Sequence, residues 1–438
     1  MPESALTLPT PRPFAAPGLP NVEWLTRARA TRSVFQIQTE QDIVAALRAA
    51  RHAARGARPV GSKGSKNGCH AAPGIELQFG AYDAVLALDD HTVTVQAGTT
   101  VGALNAVLRR HGLAVPTCGE WAGATVAGSI GTGSHGGSAR HGIHSTSLGS
   151  IRLITAGGTP LEIDRTDPCF EHVGVSLGLL GVMSTLTFEC AERFYLEFET
   201  RVLPFETYVH AHDALNAQHE FFSAIWFPRV GRVVTFAADR VPPPAKLSRR
   251  MERYCVKTFL LNSASQRLDL NLVSDRLLAR TVVDEGDRIL APIRDRSRRV
   301  HHLRSLSRGW KAMEGAVSRD RATETLLALD RLFAGDGRGL TSPVGLRCSA
   351  ADDFSLSPCR GRDTFWIDLF YSGGNGLAHG LRELLESLDA RCHWGKHVGL
   401  PAEYLRRQYP RLDAFRAFRQ SLDPEGVFEN AFTRSFEL

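Results

Sequence analysis

Residues 126–137 read Val126-Ala127-Gly128-Ser129-Ile130-Gly131-Thr132-Gly133-Ser134-His135-Gly136-Gly137. Five of the ten residues from Gly128 to Gly137 are glycine, interleaved with Ser and Thr. Glycine lets a backbone approach a ligand with no Cβ in the way. A run of exposed amide N–H groups then makes a concavity suited to phosphate. Gly131 to Gly136 also fits the string G-x-G-x-x-G. A dinucleotide fingerprint needs a strand before that string and a helix after it. Here the glycines run on to Gly142 and no helical pattern opens, which argues against a nicotinamide-binding unit. The plain alternative is a Gly-rich surface loop.

A second glycine segment, Pro59-Val60-Gly61-Ser62-Lys63-Gly64-Ser65-Lys66-Asn67-Gly68, follows a helical pattern over Glu40 to Arg55. Strand-like runs come next at Ile75 to Leu77 and Val85 to Leu88, then a period-two strand from His91 to Gly98. Thr99 or Thr100 caps a helix from Val101 to His111. Beyond the main glycine loop, strands are expected at Ser150 to Thr155, Pro160 to Ile163 and Met183 to Glu189.

This order resembles the flavoproteins of the vanillyl-alcohol oxidase type, and within them the aldonolactone and alditol oxidase branch. The resemblance rests on Val60-Gly61-Ser62 with Asn67-Gly68, the Gly128 to Gly137 loop, Leu179-Gly181-Val182, and His393-Trp394-Gly395-Lys396. The tail adds Tyr409-Pro410, Phe415, Arg419, Asp423-Pro424, Phe428 and Asn430. Residues 200 to 330 carry no matching motif. The resemblance implies an α+β fold, with a two-subdomain FAD-binding domain and a cap built on a large antiparallel sheet with helices. The expected division is an extended arm over 1–20, the FAD domain over 21–195, and the cap over 196–425 with Arg-rich helical insertions near 241–330. A segment over 426–438 returns to the flavin domain.

The resemblance also implies site residues. Gly61, Ser62, Lys63, Gly64, Ser65, Asn67 and Gly68 would hold FAD with Gly119, Gly128, Ser129, Gly131, Thr132, Gly133, His135, Gly136, Gly181, Val182, Lys396 and Asn430. Relatives place a flavin-tethering His where Gly64 stands, so non-covalent FAD is expected, and His70 reads as a surface residue. Relatives also carry Glu-x-Arg on a cap strand beside the substrate. Here Arg347 is kept and the Glu is Gly345, two residues earlier on the same face. Arg347 is either a substrate contact or a partner of Asp352 or Asp353. Glu120 could supply the missing charge, or the space over Gly345 takes a different substrate. Lys396 would stabilise charge on the reduced flavin, and His393 is a candidate base with a reference pKa of about 6.5.

The implied reaction oxidises a CH–OH group of a sugar-like or polyol substrate by hydride transfer to flavin N5. Gly119 leaves the oxygen path open, so dioxygen is the expected acceptor and hydrogen peroxide the product. A glycoside, aminocyclitol or other natural-product hydroxyl is the alternative substrate, with Glu120 pairing an amine.

Composition frames this reading. The 438 residues are 43% hydrophobic and 22% charged, ordinary for a soluble globular chain of two or three domains. No apolar run suggests a spanning helix, and the Pro-rich start lacks a signal-peptide layout. Eight scattered cysteines without a C-x-x-C pair read as free thiols in a reducing cytoplasm, with no metal site. A formal charge of +6, with basic clusters at 246–253 and 288–308, raises a rival class that binds nucleic acid or an anionic membrane surface. Intervening acids and the lack of interleaved aromatics favour a solvated helical face, hence no nucleic-acid partner. Homo-oligomerisation is left open.

Overall fold

The computed structural model describes residues 33–119, 121–243, 293–296, 311–336, 340, 343–371 and 375–438. The expected N-terminal arm, Glu120 and Cys255 lie outside these residues, as do the two basic clusters apart from the backbone of 293–296.

The N-terminal half builds two sheets. Strands β1 (Ser33–Gln36), β2 (Ala57–Val60) and β3 (Ile75–Gln78) form a parallel sheet in the order β1-β3-β2. Helix α1 (Glu40–His52) covers it with Ile43, Ala46, Leu47 and Ala50. Its start is set by a capping box, in which Thr39 Oγ1 accepts from the Asp42 N–H and Asp42 accepts from Thr39 N–H. Next come β4 (Val85–Leu88), β5 (Thr92–Gln96), the short β6 (Leu113–Ala114), β7 (Leu148–Ile154), β8 (Pro160–Asp164) and β9 (Val182–Glu189). Apart from β6, which pairs with β10 (Ala191–Glu192), these make a five-stranded sheet in the order β4-β5-β9-β7-β8. The period-two strand behaves as its pattern demands, burying Val93 and Val95.

The C-terminal half is dominated by one eight-stranded sheet, ordered β14-β11-β13-β12-β16-β17-β15-β18. Its strands are β11 (Tyr195–Pro204), β12 (Phe221–Phe227), β13 (Arg232–Val241), β14 (Ile293–Arg296), β15 (Lys311–Ser318), β16 (Val344–Ser349), β17 (Thr364–Tyr371) and β18 (Arg391–Cys392). Its neighbouring strands all pair antiparallel. The register that matters is a row across three strands, Gly345 opposite Asp368 and Asp368 opposite Glu314.

As expected, no helix follows Gly136 before the short 3₁₀ turn His144–Ser147; what the sequence did not announce is a helix ahead of the G-x-G-x-x-G string, α3 (Val126–Gly131), which comes after α2 (Val101–Arg110). Glycine is a poor helix former. Here Thr125 Oγ1 accepts the Gly128 N–H at 3.2 Å, and Val126 and Ile130 are wholly buried. Tertiary packing overrides propensity. Gly133 then turns the chain with φ +70, a left-handed conformation that favours glycine.

The chain end returns to the first half before residue 426. Arg411 pairs with Glu171, Arg51 with Glu425, and Ala57 N–H donates to Val427 O. Arg58 ties this return to the glycine loops. Its guanidinium is buried and donates to the carbonyls of Cys69, Leu177, Gly178 and Phe428. Burial pushes its pKa down to about 10, so it remains a cation at neutral pH. Arg58→Met removes every one of these donors while keeping much of the stem. Each orphaned buried acceptor costs ~1–3 kcal/mol, so the loss expected is about 3 kcal/mol or more, read from the denaturant midpoint at unchanged slope.

Candidate active site

An open cleft with about 1540 Å³ of empty space, solvent at its mouth included, lies between the glycine loops and the large sheet. Gly61, Ser62, Lys63, Gly64, Ser65, Gly119, Gly128, Ser129, Gly131, Thr132, His135 and Gly181 line it from the first half. Arg347, His393 and Lys396 line it from the second. Among the described residues, the backbone N–H groups of Gly61, Ser62 and Gly64 donate to no protein acceptor. Three such amides beside the buried Arg58 cation suit a diphosphate. The cavity therefore fits a dinucleotide such as FAD.

The other expected cofactor residues act one step removed. Asn67 Nδ2 donates to the carbonyls of Trp394 and Lys396, and its Oδ1 accepts from Cys69 N–H. Asn430 Nδ2 donates to the carbonyls of Gly68, Cys69 and Ala71. These two asparagines, with Gly68, Gly133, Gly136 and Val182, shape the loops without lining the cavity. Lys63 pairs with the buried Glu76 at 2.6 Å. Ser129 Oγ lies 2.7 Å from His144 Nδ1. His70 lines the cavity and is not the surface residue expected. The neighbouring cap of Gly68 to His70 turns it inward beneath Asn430.

The space above Gly64 is filled. A Cβ there would stand 2.1 Å from the Trp121 ring. Trp121 itself is 40% exposed and lines the cavity. The position that would carry a tether thus accepts no side chain while Trp121 keeps its place.

The sheet end of the cavity is a charge cluster. Lys396 Nζ lies 3.2 Å and 3.3 Å from the two Asp368 oxygens and 3.6 Å from Glu314 Oε2. His135 Nε2 lies 3.1 Å from Glu314 Oε1. The His135 ring stacks on Trp366 at 3.9 Å and its Nδ1–H donates to Gly136 O. Burial alone would raise both carboxyls. For Glu314, Lys396 and then His135 outweigh it and hold the carboxyl well below the usual range. For Asp368, burial and the adjacent Glu314 win over Lys396 and Arg347, and the carboxyl is raised. Burial would lower Lys396, but Asp368 and Glu314 raise it, so it stays an ammonium. His393 is pushed down to about 3 by burial, and its Nδ1 accepts the Gly395 N–H at 2.9 Å. It is a neutral ring with its proton on Nε2. His135, Glu314 and His393 bring one ligand atom each within 4.8 Å. The Lys396 ammonium already neutralises that carboxylate, so the trio is a charge cluster closed by its own cation.

Two of these residues escaped the sequence reading. Asp368 sits in Phe365-Trp366-Ile367-Asp368-Leu369-Phe370, and Glu314 in Ala312-Met313-Glu314-Gly315-Ala316. A lone acid inside an apolar strand run was the available signal, since such residues are rarely buried without a partner. The space over Gly345 is not empty either. A Cβ there would stand 3.3 Å from Asp368 Cβ and 4.0 Å from Arg347 Nη2. Asp352 and Asp353 are the alternative partners of Arg347. Of the two, Asp352 is buried and its carboxylate accepts from Ser357 Oγ and Phe354 N–H, while only the main-chain carbonyl of Asp353 has a described partner, Arg360.

Fold and cavity define a flavoprotein. Residues 31–164 match the FAD binding domain family. Residues 186–436 match the D-arabinono-1,4-lactone oxidase family, which covers more than half of the chain. The protein belongs to that family and is an FAD-dependent oxidoreductase acting on CH–OH donors. L-gulonolactone oxidase of Bos taurus is 26% identical over 420 residues, covering 91% of this chain and 93% of its own. L-gulono-1,4-lactone dehydrogenase of Mycobacterium tuberculosis is 28% identical, covering 86% and 89%. Alditol oxidase of a Streptomyces species is 28% identical, covering 82% and 85%. A cholesterol oxidase structure from B. sterolicum superposes with a TM-score of 0.75 over 92% of this chain and 93% of its own, at 15% identity, a likeness of fold.

The Trp121 contact yields a test. Gly64→Ala drives a methyl into the ring, so FAD should be lost on dialysis at least tenfold faster than from the parent protein. Trp121→Gly in the Gly64→Ala background should remove that steric penalty, measured as flavin retained per polypeptide.

Proposed function

We propose that this protein binds FAD non-covalently and oxidises a secondary or primary hydroxyl of a neutral, sugar-like lactone or polyol, with dioxygen as acceptor and hydrogen peroxide as product. The carrying observation is the charge cluster of Arg347, Asp368, Lys396 and Glu314 on the sheet wall, facing the glycine loops across one cavity. Lys396 lies against both carboxylates and His135 against Glu314, so the charges are paired within the cluster, which suits a neutral hydroxyl-rich substrate better than a carboxylate or phosphate. FAD, when bound, supplies the hydride acceptor. Arg347 and Lys396 hold substrate oxygens and stabilise negative charge as the C–H bond weakens. The neutral His393 donates from Nε2 and orients, rather than accepting a proton as its sequence position suggested. The His135 ring stacks on the buried Trp366 beside this cluster.

Non-covalent attachment is supported by Gly64 and the Trp121 ring above it. The oxidase reading is supported by Gly119, which offers no side chain to the cavity, although relatives include both an oxidase and a dehydrogenase. The two carboxylates keep an amine-bearing polyol as a second substrate reading. Among the described residues no helix is long and apolar enough to cross a membrane. The seven described cysteines are free thiols, which supports a cytoplasmic setting.

Acid precipitation of the yellow protein should release its flavin to the supernatant; colour kept in the pellet would point to His70 as tether. Anaerobic addition of L-gulono-1,4-lactone or xylitol should bleach the flavin, and air should restore it with stoichiometric peroxide. Lys396→Met should hold flavin but reduce it roughly 10²–10³-fold more slowly, the range for loss of one charge-stabilising donor.

A further inference from the structure

We propose that Asp368 is the proton acceptor for the substrate hydroxyl, seated on β17 in the space that Gly345 leaves open on β16. The inference rests on the functional reading above and names the group that completes it. Oxidation of CH–OH to C=O releases a hydride from carbon and a proton from oxygen. The hydride and its electron pair leave to the flavin. The proton needs an acceptor within reach of the same cavity.

The polar groups there can be taken in turn. Arg347 keeps its protons at any working pH. Lys396 is held as an ammonium by Asp368 and Glu314. His393 has its Nδ1 lone pair committed to the Gly395 N–H and its Nε2 already protonated. His135 has only 2% of its side chain exposed, donates its Nδ1–H to Gly136 O and faces the Glu314 carboxylate with Nε2. Glu314 is 3% exposed in its side chain and held strongly as the carboxylate, a weak base. Among the described residues at the sheet end of the cavity, Asp368 is the remaining group. Its side chain is 11% exposed, it lines the cavity, and burial beside Glu314 makes it a better base than an ordinary aspartate.

The surrounding charges suit the step. Lys396 lies 3.2 Å from Asp368 and 3.6 Å from Glu314. When Asp368 takes the proton and becomes neutral, Lys396 keeps Glu314 as its counter-ion. The cluster then carries one more positive charge, held by Arg347 and Lys396 beside Glu314. Glu314 thereby acts as a positioning residue for Lys396 and, through it, for Asp368.

The register explains why Asp368 can reach the site. Gly345 and Asp368 are directly paired, and a Cβ on residue 345 would approach Asp368 Cβ to 3.3 Å. The absent side chain leaves that volume to the aspartate and to the substrate hydroxyl it meets.

The test uses FAD-loaded protein and anaerobic stopped-flow reduction by whichever lactone or polyol bleaches the wild type. The wild-type rate should fall at acid pH, where Asp368 is protonated. Its acidic limb should centre above the ordinary aspartate value of about 3.9, because Glu314 and burial oppose ionisation more than Arg347 and Lys396 assist it. His135 and His393 are the remaining titratable groups facing the cluster. Asp368→Asn should keep the flavin spectrum, reduce roughly 10²–10⁴-fold more slowly, and lose that acidic limb. Asp368→Gly with Gly345→Glu, which moves the carboxylate one strand over, should recover at least tenfold of the lost rate. A wild-type rate that is flat down to pH 4, or an Asp368→Asn rate within threefold of wild type with the limb intact, would overturn the proposal. The wild-type profile decides even if the variant does not fold. If no CH–OH donor bleaches wild-type flavin, the functional reading fails and this assignment fails with it.

Discussion

The Lys396 ammonium between Asp368 and Glu314 is the constraint around which the site is organised. Two carboxylates this close would repel strongly in a low-dielectric site. The single cation beside both makes their burial tolerable, and Arg347 adds a second. Such clusters are expensive to bury, and apolar replacements of similar volume are often no less stable. Fold stability alone is therefore a weak reason for this arrangement, which fits the proposed handling of a hydroxyl substrate.

Lys396 is placed by the opposite wall of the cavity. Asn67 in the first glycine loop donates to the carbonyls of Trp394 and Lys396, and Lys66 N–H donates to Gly395 O. The loop that offers amides to a diphosphate is thus the same loop that fixes the backbone of the substrate-side cation. Arg58 extends the coupling, joining the Gly68 to His70 turn, the Leu177-Gly178 turn and the returning chain end. Cofactor loops and substrate wall are one hydrogen-bonded unit, so a change at Asn67 acts on both sides of the cavity without touching either ligand.

What the sequence made legible was local. Helices α1 and α2 and the strands from Ile75 to Glu189 announce themselves by period and cap. The glycine loops were visible because their composition is the function. Helix α3 was hidden since Gly128 and Gly131 argue against a helix, and only the buried Val126 and Ile130 faces and the Thr125 cap make it stable. His70 read as surface because nothing local shows that Asn430, far along the chain, draws its turn to the cavity. Asp368 and Glu314 were hidden for a deeper reason. Strand pairing sets their neighbours, and residues 314, 345 and 368 become a row only after the eight-stranded sheet is assembled.

That row also explains why the carboxylate search along β16 itself was bound to mislead. Directly opposed residues in an antiparallel pair have Cβ atoms roughly 4.5–5.5 Å apart, and like charges there destabilise the pair. A glutamate on residue 345 would come closer than that, its Cβ 3.3 Å from Asp368 Cβ, with Glu314 already on the other side of the aspartate. The glycine and the aspartate are one solution to one problem, because the row already carries two acids for Lys396 to neutralise. Moving the negative charge from one strand to its neighbour shifts it by about 4.8 Å relative to Arg347. The hydroxyl that meets both groups must then present its oxygen from a different angle than an acid two residues from Arg347 would demand. If Asp368 takes the hydroxyl proton as proposed, substrate selection follows from that displacement across the sheet, and the identity of residue 345 alone does not reveal it.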